Sequence, residues 1–160
     1  MVNKDHLHVI VLPEDRANLQ LANGFHKEVA YTRERQMQVL PVAGGWMRVL
    51  ERFKSDHVGK MVSNPNRFMV LLIDFDCKPK RLGVAKAEIP TELTDRVFIL
   101  GAWNHPEALK RELNQSFEEI GSRLAQDCRD DNYVTWGHQL FQHNASELDR
   151  LREHVRPILF

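Results

Sequence analysis

Two aspartates one residue apart, Asp74 and Asp76, close the most continuously apolar stretch of the chain, Phe68 to Ile73. Carboxylates are costly at the end of a buried segment unless something there uses them. In an extended chain, side chains at i and i+2 leave the backbone on one side. Both carboxylates can then reach a single ion while Phe75 anchors the opposite face in the core. Hard oxygen donors of this kind suit Mg²⁺, with Mn²⁺ as a substitute, because Mg²⁺ keeps several waters and takes only one or two protein carboxylates. The competing reading is that Asp74 and Asp76 cap the next turn or pair with Lys78, Lys80 or Arg81, which follow directly.

Acids recur at other segment ends. Glu14 and Asp15 follow the apolar stretch Leu7 to Leu12, and Asn104 to Glu107 follow Val97 to Leu100. Unpaired carboxylates gathered at one edge raise one another's pKa and call for a bound cation or a basic partner. Glu14 is expected either as a general base or metal ligand, or as an acid favoured at a helix N-terminus, which would serve Asp15 equally. Glu107 is a helix-start acid or a further metal or water contact. His105 lies on the same loop. His138 and His143 match no zinc spacing and are expected as solvent or core histidines. Gly44-Gly45 reads as a turn into a helix. Lys78, Lys80 and Arg81 beside a metal could hold a phosphodiester backbone, as a solvated loop could also explain them.

The elements that must position these groups follow from periodicity. Strands are expected at Leu7 to Leu12, Gln36 to Val42, Phe68 to Ile73 and Val97 to Leu100. A helix follows the first strand, with Asn23-Gly24 interrupting its pattern. Trp46, Val49, Leu50 and Phe53 mark a second helix, Glu107 to Cys128 a third and Ala145 to Val155 a fourth. Cys77 to Thr94 reads as a polar loop with at most a short helix, and no internal repeat is evident. This order predicts an α/β domain with a mostly parallel four-stranded sheet flanked by helices, with ligands beyond the carboxyl ends of the strands.

A chain of 160 residues fits one domain. Lys plus Arg (22) equals Asp plus Glu (22), so no global positive field draws nucleic acid, and contact would need local patches. Cys77 and Cys128 have neither metal-ligand spacing nor a disulfide framework. The beginning, Met1 to His6, lacks a signal peptide's apolar stretch, and Met69 to Ile73 is far shorter than the roughly 20 residues of a membrane span. A cytoplasmic, non-membrane protein is the expectation.

The combination resembles a Toprim domain, over roughly residues 5 to 110, with residues from about 107 to 160 as a C-terminal helical part. Glu14 stands where that family has a glutamate after the first strand, Asp74 and Asp76 match its Asp-x-Asp after the third, and Gly44-Gly45 matches a glycine pair after the second. Asp15 departs from the glycine that many members carry there. The resemblance, nearest to nucleases of the overcoming-lysogenization-defect type, implies that Glu14 acts as acid/base, that Asp74 and Asp76 hold Mg²⁺, and that Glu107 joins a second metal site. It implies a nuclease, or the nuclease subunit of a multi-protein system, acting on DNA or RNA with a protein partner. The alternative is a catalytically inactive subunit that binds a partner or a nucleotide. A haloacid dehalogenase-type phosphatase fits less well, because its Asp-x-Asp usually ends the first strand.

Overall fold

The computed structural model describes all 160 residues. Four strands, β1 (His8–Pro13), β2 (Met37–Val39), β3 (Arg67–Leu72) and β4 (Val97–Leu100), form one all-parallel sheet in the order β2-β1-β3-β4. Every residue of β1 and β4 is buried, as near-continuous apolar runs in a two-sided sheet require. Helix α1 (Arg16–Lys27) connects β1 to β2. Helices α2 (Trp46–Arg52) and α3 (Val58–Ser63), joined by a π-helical turn at Phe53–His57, connect β2 to β3. Helix α4 (Pro79–Ala87) connects β3 to β4.

Two apolar cores lie on opposite faces of the sheet. Val9, Val11, Val70, Phe98 and Leu100 share one with Leu21 and Ala22 of α1. Ile10, Leu12, Met69, Leu71 and Ile99 share the other with Val49 and Leu50 of α2, Met61 of α3 and Ala85 of α4. The chain thus leaves β1 in one direction on one face, and crosses back towards β3 and β4 on the other, as crossovers of one hand must.

The rest of the chain forms α5 (Pro106–Leu113), α6 (Phe117–Asp130), α7 (Ala145–His154) and α8 (Arg156–Leu159). Leu109, Ile120, Leu124, Leu148, Leu151, Ile158 and Leu159 belong to the same core as β1 and α1, so this helical part covers half of the sheet. It also closes the outer edge of β4. Glu147 accepts from the Ile99 amide (3.0 Å), Asn144 pairs with both the N–H (3.3 Å) and the C=O (3.0 Å) of Gly101, and Arg150 donates to the Val97 carbonyl (3.3 Å). Side chains thus take the place of a fifth strand.

Three expectations need correction. Cys77 to Thr94 is not mainly loop: α4 occupies nine of its residues, and it lacks an apolar stripe because only Arg81 and Ala85 are buried. Its signal is Pro79 at the first turn. Glu107 to Cys128 is two helices. Asn114 adopts a left-handed conformation (φ 50°, ψ 47°), and a capping box between Ser116 and Glu119 starts α6 afresh. Asn23-Gly24 does not interrupt α1. A Cβ on Gly24 would lie 1.9 Å from the Glu118 carbonyl oxygen, and one on Gly121 would lie 1.9 Å from that of Leu21, so paired glycines let α1 and α6 cross in backbone contact. The two edge strands also share a local approach. Tyr31–Gln36 before β2 and Thr91–Arg96 before β4 are both 3₁₀ turns, entered through Ala30 (φ −53°, ψ 136°) and Pro90 (φ −55°, ψ 140°). Each edge strand is reached through the same device.

Candidate active site at the carboxyl ends of the central strands

In this strand order β1 and β3 are neighbours whose connections depart in opposite directions, which opens a crevice beyond their carboxyl ends where α/β proteins bind ligands. Glu14 follows β1 and Asp74 follows β3, one on each side of it. The Asp74 amide donates to Glu14 Oε2 at 2.7 Å. The Glu14 carbonyl accepts from the amides of Gly44 (2.9 Å) and Gly45 (3.3 Å), whose positive φ values (93° and 141°) make the turn into α2. Gly44-Gly45 is thus the turn into a helix that the sequence suggests.

Past Leu72 the chain stays paired with the segment after β4: the amides of Ile73, Phe75 and Cys77 donate to the carbonyls of Leu100, Ala102 and Trp103. Phe75 is 1% exposed and packs near Trp103 and His143. Asp74, 6% exposed, lies on the crevice side. The backbone then turns sharply, with Asp76 at φ 49° and Cys77 at φ 55°. Asp76 Oδ2 meets Arg81 Nη1 at 3.0 Å, and the same nitrogen donates to the Asp74 carbonyl at 2.6 Å. Arg81 is itself buried and lies 4.6 Å from the centroid of the Trp46 ring. Of the three basic residues expected to grip substrate, Arg81 is therefore spent inside the protein. Lys78 and Lys80 are exposed at the start of α4.

Asn18, unremarked in the sequence, ties the acids together. Asp15 caps α1 by accepting from the Asn18 amide (3.0 Å), and Asn18 Nδ2 donates to Asp15 Oδ1 (3.0 Å) and Asp74 Oδ1 (3.2 Å). Asn18 is fully buried, and its Oδ1 has no partner. The available signal was the Asp15-x-x-Asn18 spacing of an N-cap, with a polar residue on the inward side of an amphipathic helix.

Burial raises the Asp74 carboxyl to about 8, with repulsion from Asp15 reinforcing it, the Asn18 hydrogen bond partly offsetting it, and Glu14 and Asp76 adding to it. Burial also raises Glu14, against the opposing hydrogen bond from the Asp74 amide. The four acids are thus under-neutralised, with Arg81 the one cation paired among them. Hard oxygen donors held in this condition fit a divalent cation, Asp74 and Asp76 being the residues that would hold it. No group of three or more His, Cys, Asp or Glu side chains converges as a metal cage, and Mg²⁺, which binds through one or two carboxylates and water, needs none.

The remaining candidates are not drawn into the crevice. Glu107 is exposed in the first turn of α5, without an ion pair or a side-chain hydrogen bond, and His105 is exposed just before it. His138 meets Glu112 at 2.7 Å. His143 is inserted near Phe75 and Trp103, and neither of its ring nitrogens has a partner. No helix is long and apolar enough to cross a membrane. No family model, curated protein or solved structure matches this chain.

Proposed function

We propose that the protein is a Mg²⁺-dependent phosphotransfer enzyme with a Toprim-like site, acting on a nucleic-acid phosphodiester as a nuclease or as the nuclease subunit of a larger assembly. The observation that carries this reading is the contact of the Glu14 carboxylate with the backbone of Asp74 across the β1–β3 crevice. It brings a candidate base within one residue's reach of the candidate metal ligands. A raised Glu14 keeps a proton-accepting group nearer to neutral pH, where a general base works best. Bound Mg²⁺ would supply charge neutralisation on the phosphate and a more acidic water. Asn18 and the Asp74 amide fix the carboxylates, Arg81 holds Asp76 in its turn, and Lys78 and Lys80 at the rim face solvent, where a phosphate backbone would approach.

The test is cleavage of plasmid DNA, single-stranded DNA and RNA with Mg²⁺ or Mn²⁺ against EDTA, by the wild type, Glu14→Gln and Asp74→Asn. Metal-dependent cutting that both substitutions abolish while the proteins remain folded supports the proposal. Cutting that survives both substitutions refutes it.

One observation favours a second reading. Arg81 already supplies a cation to Asp76, so the acids can form a self-contained scaffold for a partner-binding or nucleotide-binding subunit. That reading gains if Mg²⁺ neither stabilises the wild type nor supports cleavage.

A further inference from the structure

The opposite end of the sheet carries the opposite charge. His8 opens β1 and Arg67 opens β3, and the two are register partners, so their side chains leave neighbouring strands on one face. That is the face of Ile10, Met69 and Leu71, covered by α2, α3 and the π-helical turn that contains His57. All three side chains are more than nine-tenths buried: His8 is 0%, His57 5% and Arg67 7% exposed.

Each of the three has a buried nitrogen without a partner, although His8 Nδ1 lies 2.8 Å from the His6 carbonyl oxygen. Arg67 Nε, His57 Nδ1 and His8 Nε2 are buried without a hydrogen-bond partner, and Arg67 makes no ion pair. The contrast with Arg96 at the same end is direct. That guanidinium donates to the carbonyls of Met61 (3.0 Å), Asn64 (3.1 Å) and Arg67 (2.9 Å). Arg67 has no such outlet. A buried guanidinium N–H without an acceptor, as at Arg67 Nε, costs the fold free energy.

Nearby charge does not resolve it. His57 feels Lys60, Arg67 and Arg52 as cations and only Asp56 as an anion, while His8 feels Arg67 and Lys4. Asp56 is exposed and lies 3.9 Å from Arg52. Lys4 and Lys60 are exposed.

We propose that the amino-terminal end of the sheet, built from Arg67, His8 and His57 and flanked by Lys4 and Lys60, binds a phosphate-class oxyanion. A planar carboxylate would be satisfied by one guanidinium edge. Donors from a guanidinium and from two imidazoles that become donors at their free nitrogens on protonation suit a tetrahedral ion, and the charge of about −1.5 to −2 on a phosphate group at neutral pH matches the cations Arg67, Lys4 and Lys60 at once. This site lies at the other end of the strands from the acidic crevice and stands independently of the activity proposed there.

Its test is histidine side-chain NMR of the full chain, titrated with pH in inorganic phosphate, acetate or chloride at matched ionic strength. Burial and the surrounding cations hold His57 down to about 4 and depress His8. Phosphate should raise His57 by about one pH unit or more, the shift expected when an anion binds the protonated form tenfold tighter, and should raise His8 in the same direction. A nucleoside 5′-monophosphate that competes supports a terminal phosphate as the natural ligand, and one that does not supports the free ion. Arg67→Gln should abolish the shift. Lys60→Ala, an exposed change that leaves the core intact, should weaken phosphate binding several-fold and keeps the test decisive if Arg67→Gln does not fold. Equal histidine titrations in phosphate and chloride, or an equal response to acetate, overturn the proposal.

Discussion

Replacing Asp74 with Asn should stabilise the protein at alkaline pH while abolishing whatever chemistry the crevice performs. A carboxyl raised from 3.8 to about 8 binds more protons in the native state than in the unfolded state throughout that interval. Native stability therefore falls as pH rises from about 4 to about 8. Each pH unit is worth about 1.4 kcal/mol, so the cost reaches up to about 4 kcal/mol at pH 7. Asn cannot ionise, and its carbonyl oxygen can still accept from Asn18 Nδ2. The variant should gain about 2 to 4 kcal/mol at pH 7 to 8, the lower figure if water enters the crevice, and nothing at pH 4. With roughly 2 to 4 °C per kcal/mol, it should melt clearly higher than the wild type at pH 8. The assay is urea or thermal unfolding of both proteins from pH 4 to 8 in EDTA. The buried histidines, of which His57 is held down to about 4, destabilise the native state on the acid side. They do so equally in both proteins, so the difference between the two curves isolates Asp74. Adding Mg²⁺ at pH 8 should then stabilise the wild type and leave the variant unmoved. Parallel stability curves for the two proteins from pH 4 to 8 would refute the burial argument on which the site rests.

Three other perturbations test the scaffold. Gly24→Ala places a Cβ 1.9 Å from the Glu118 carbonyl oxygen, so α1 and α6 must move apart, and urea denaturation should register a loss of about 2 to 4 kcal/mol. Asn144→Ala strips the Gly101 N–H and C=O of their buried partners, costing about 2 to 3 kcal/mol, and hydrogen exchange should show the Gly101 amide losing protection. Val11 borders an apolar cavity of ≈ 70 Å³ between the sheet and the helices α1, α6 and α7. Val11→Ile puts one methylene into that space and should raise stability by up to about 1 kcal/mol, read as a higher melting temperature.

What was legible in the sequence was whatever rests on apolar runs and chain direction. The strands at Leu7 to Leu12, Phe68 to Ile73 and Val97 to Leu100 announce themselves because both faces of each are buried, and a parallel sheet then puts Glu14 and Asp74 at one end. The positions of side chains beyond those strand ends were not legible. The backbone turn at Asp76 brings its carboxylate onto Arg81, and Arg81 is withdrawn from the surface by Asp76 and Trp46, contacts made across the fold. Helix α4 escaped because its inward side is made of Arg81 and Ala85 rather than large apolar residues. The basic end of the sheet escaped because His8 and Arg67 become neighbours only once the strands are in register, and His57 lies on a third element.

The glycine crossing of α1 and α6 also bears on how the chain is made. The strand face that α1 covers is completed by helices that leave the ribosome about a hundred residues later, at the usual pace a matter of roughly 5 to 20 seconds. Through that interval Val9, Val11, Val70 and the inward side of α1 have no permanent cover. Contacts so distant in sequence are formed late and slowly. Slowing translation after residue 100 lengthens that interval and should lower the soluble yield of the protein.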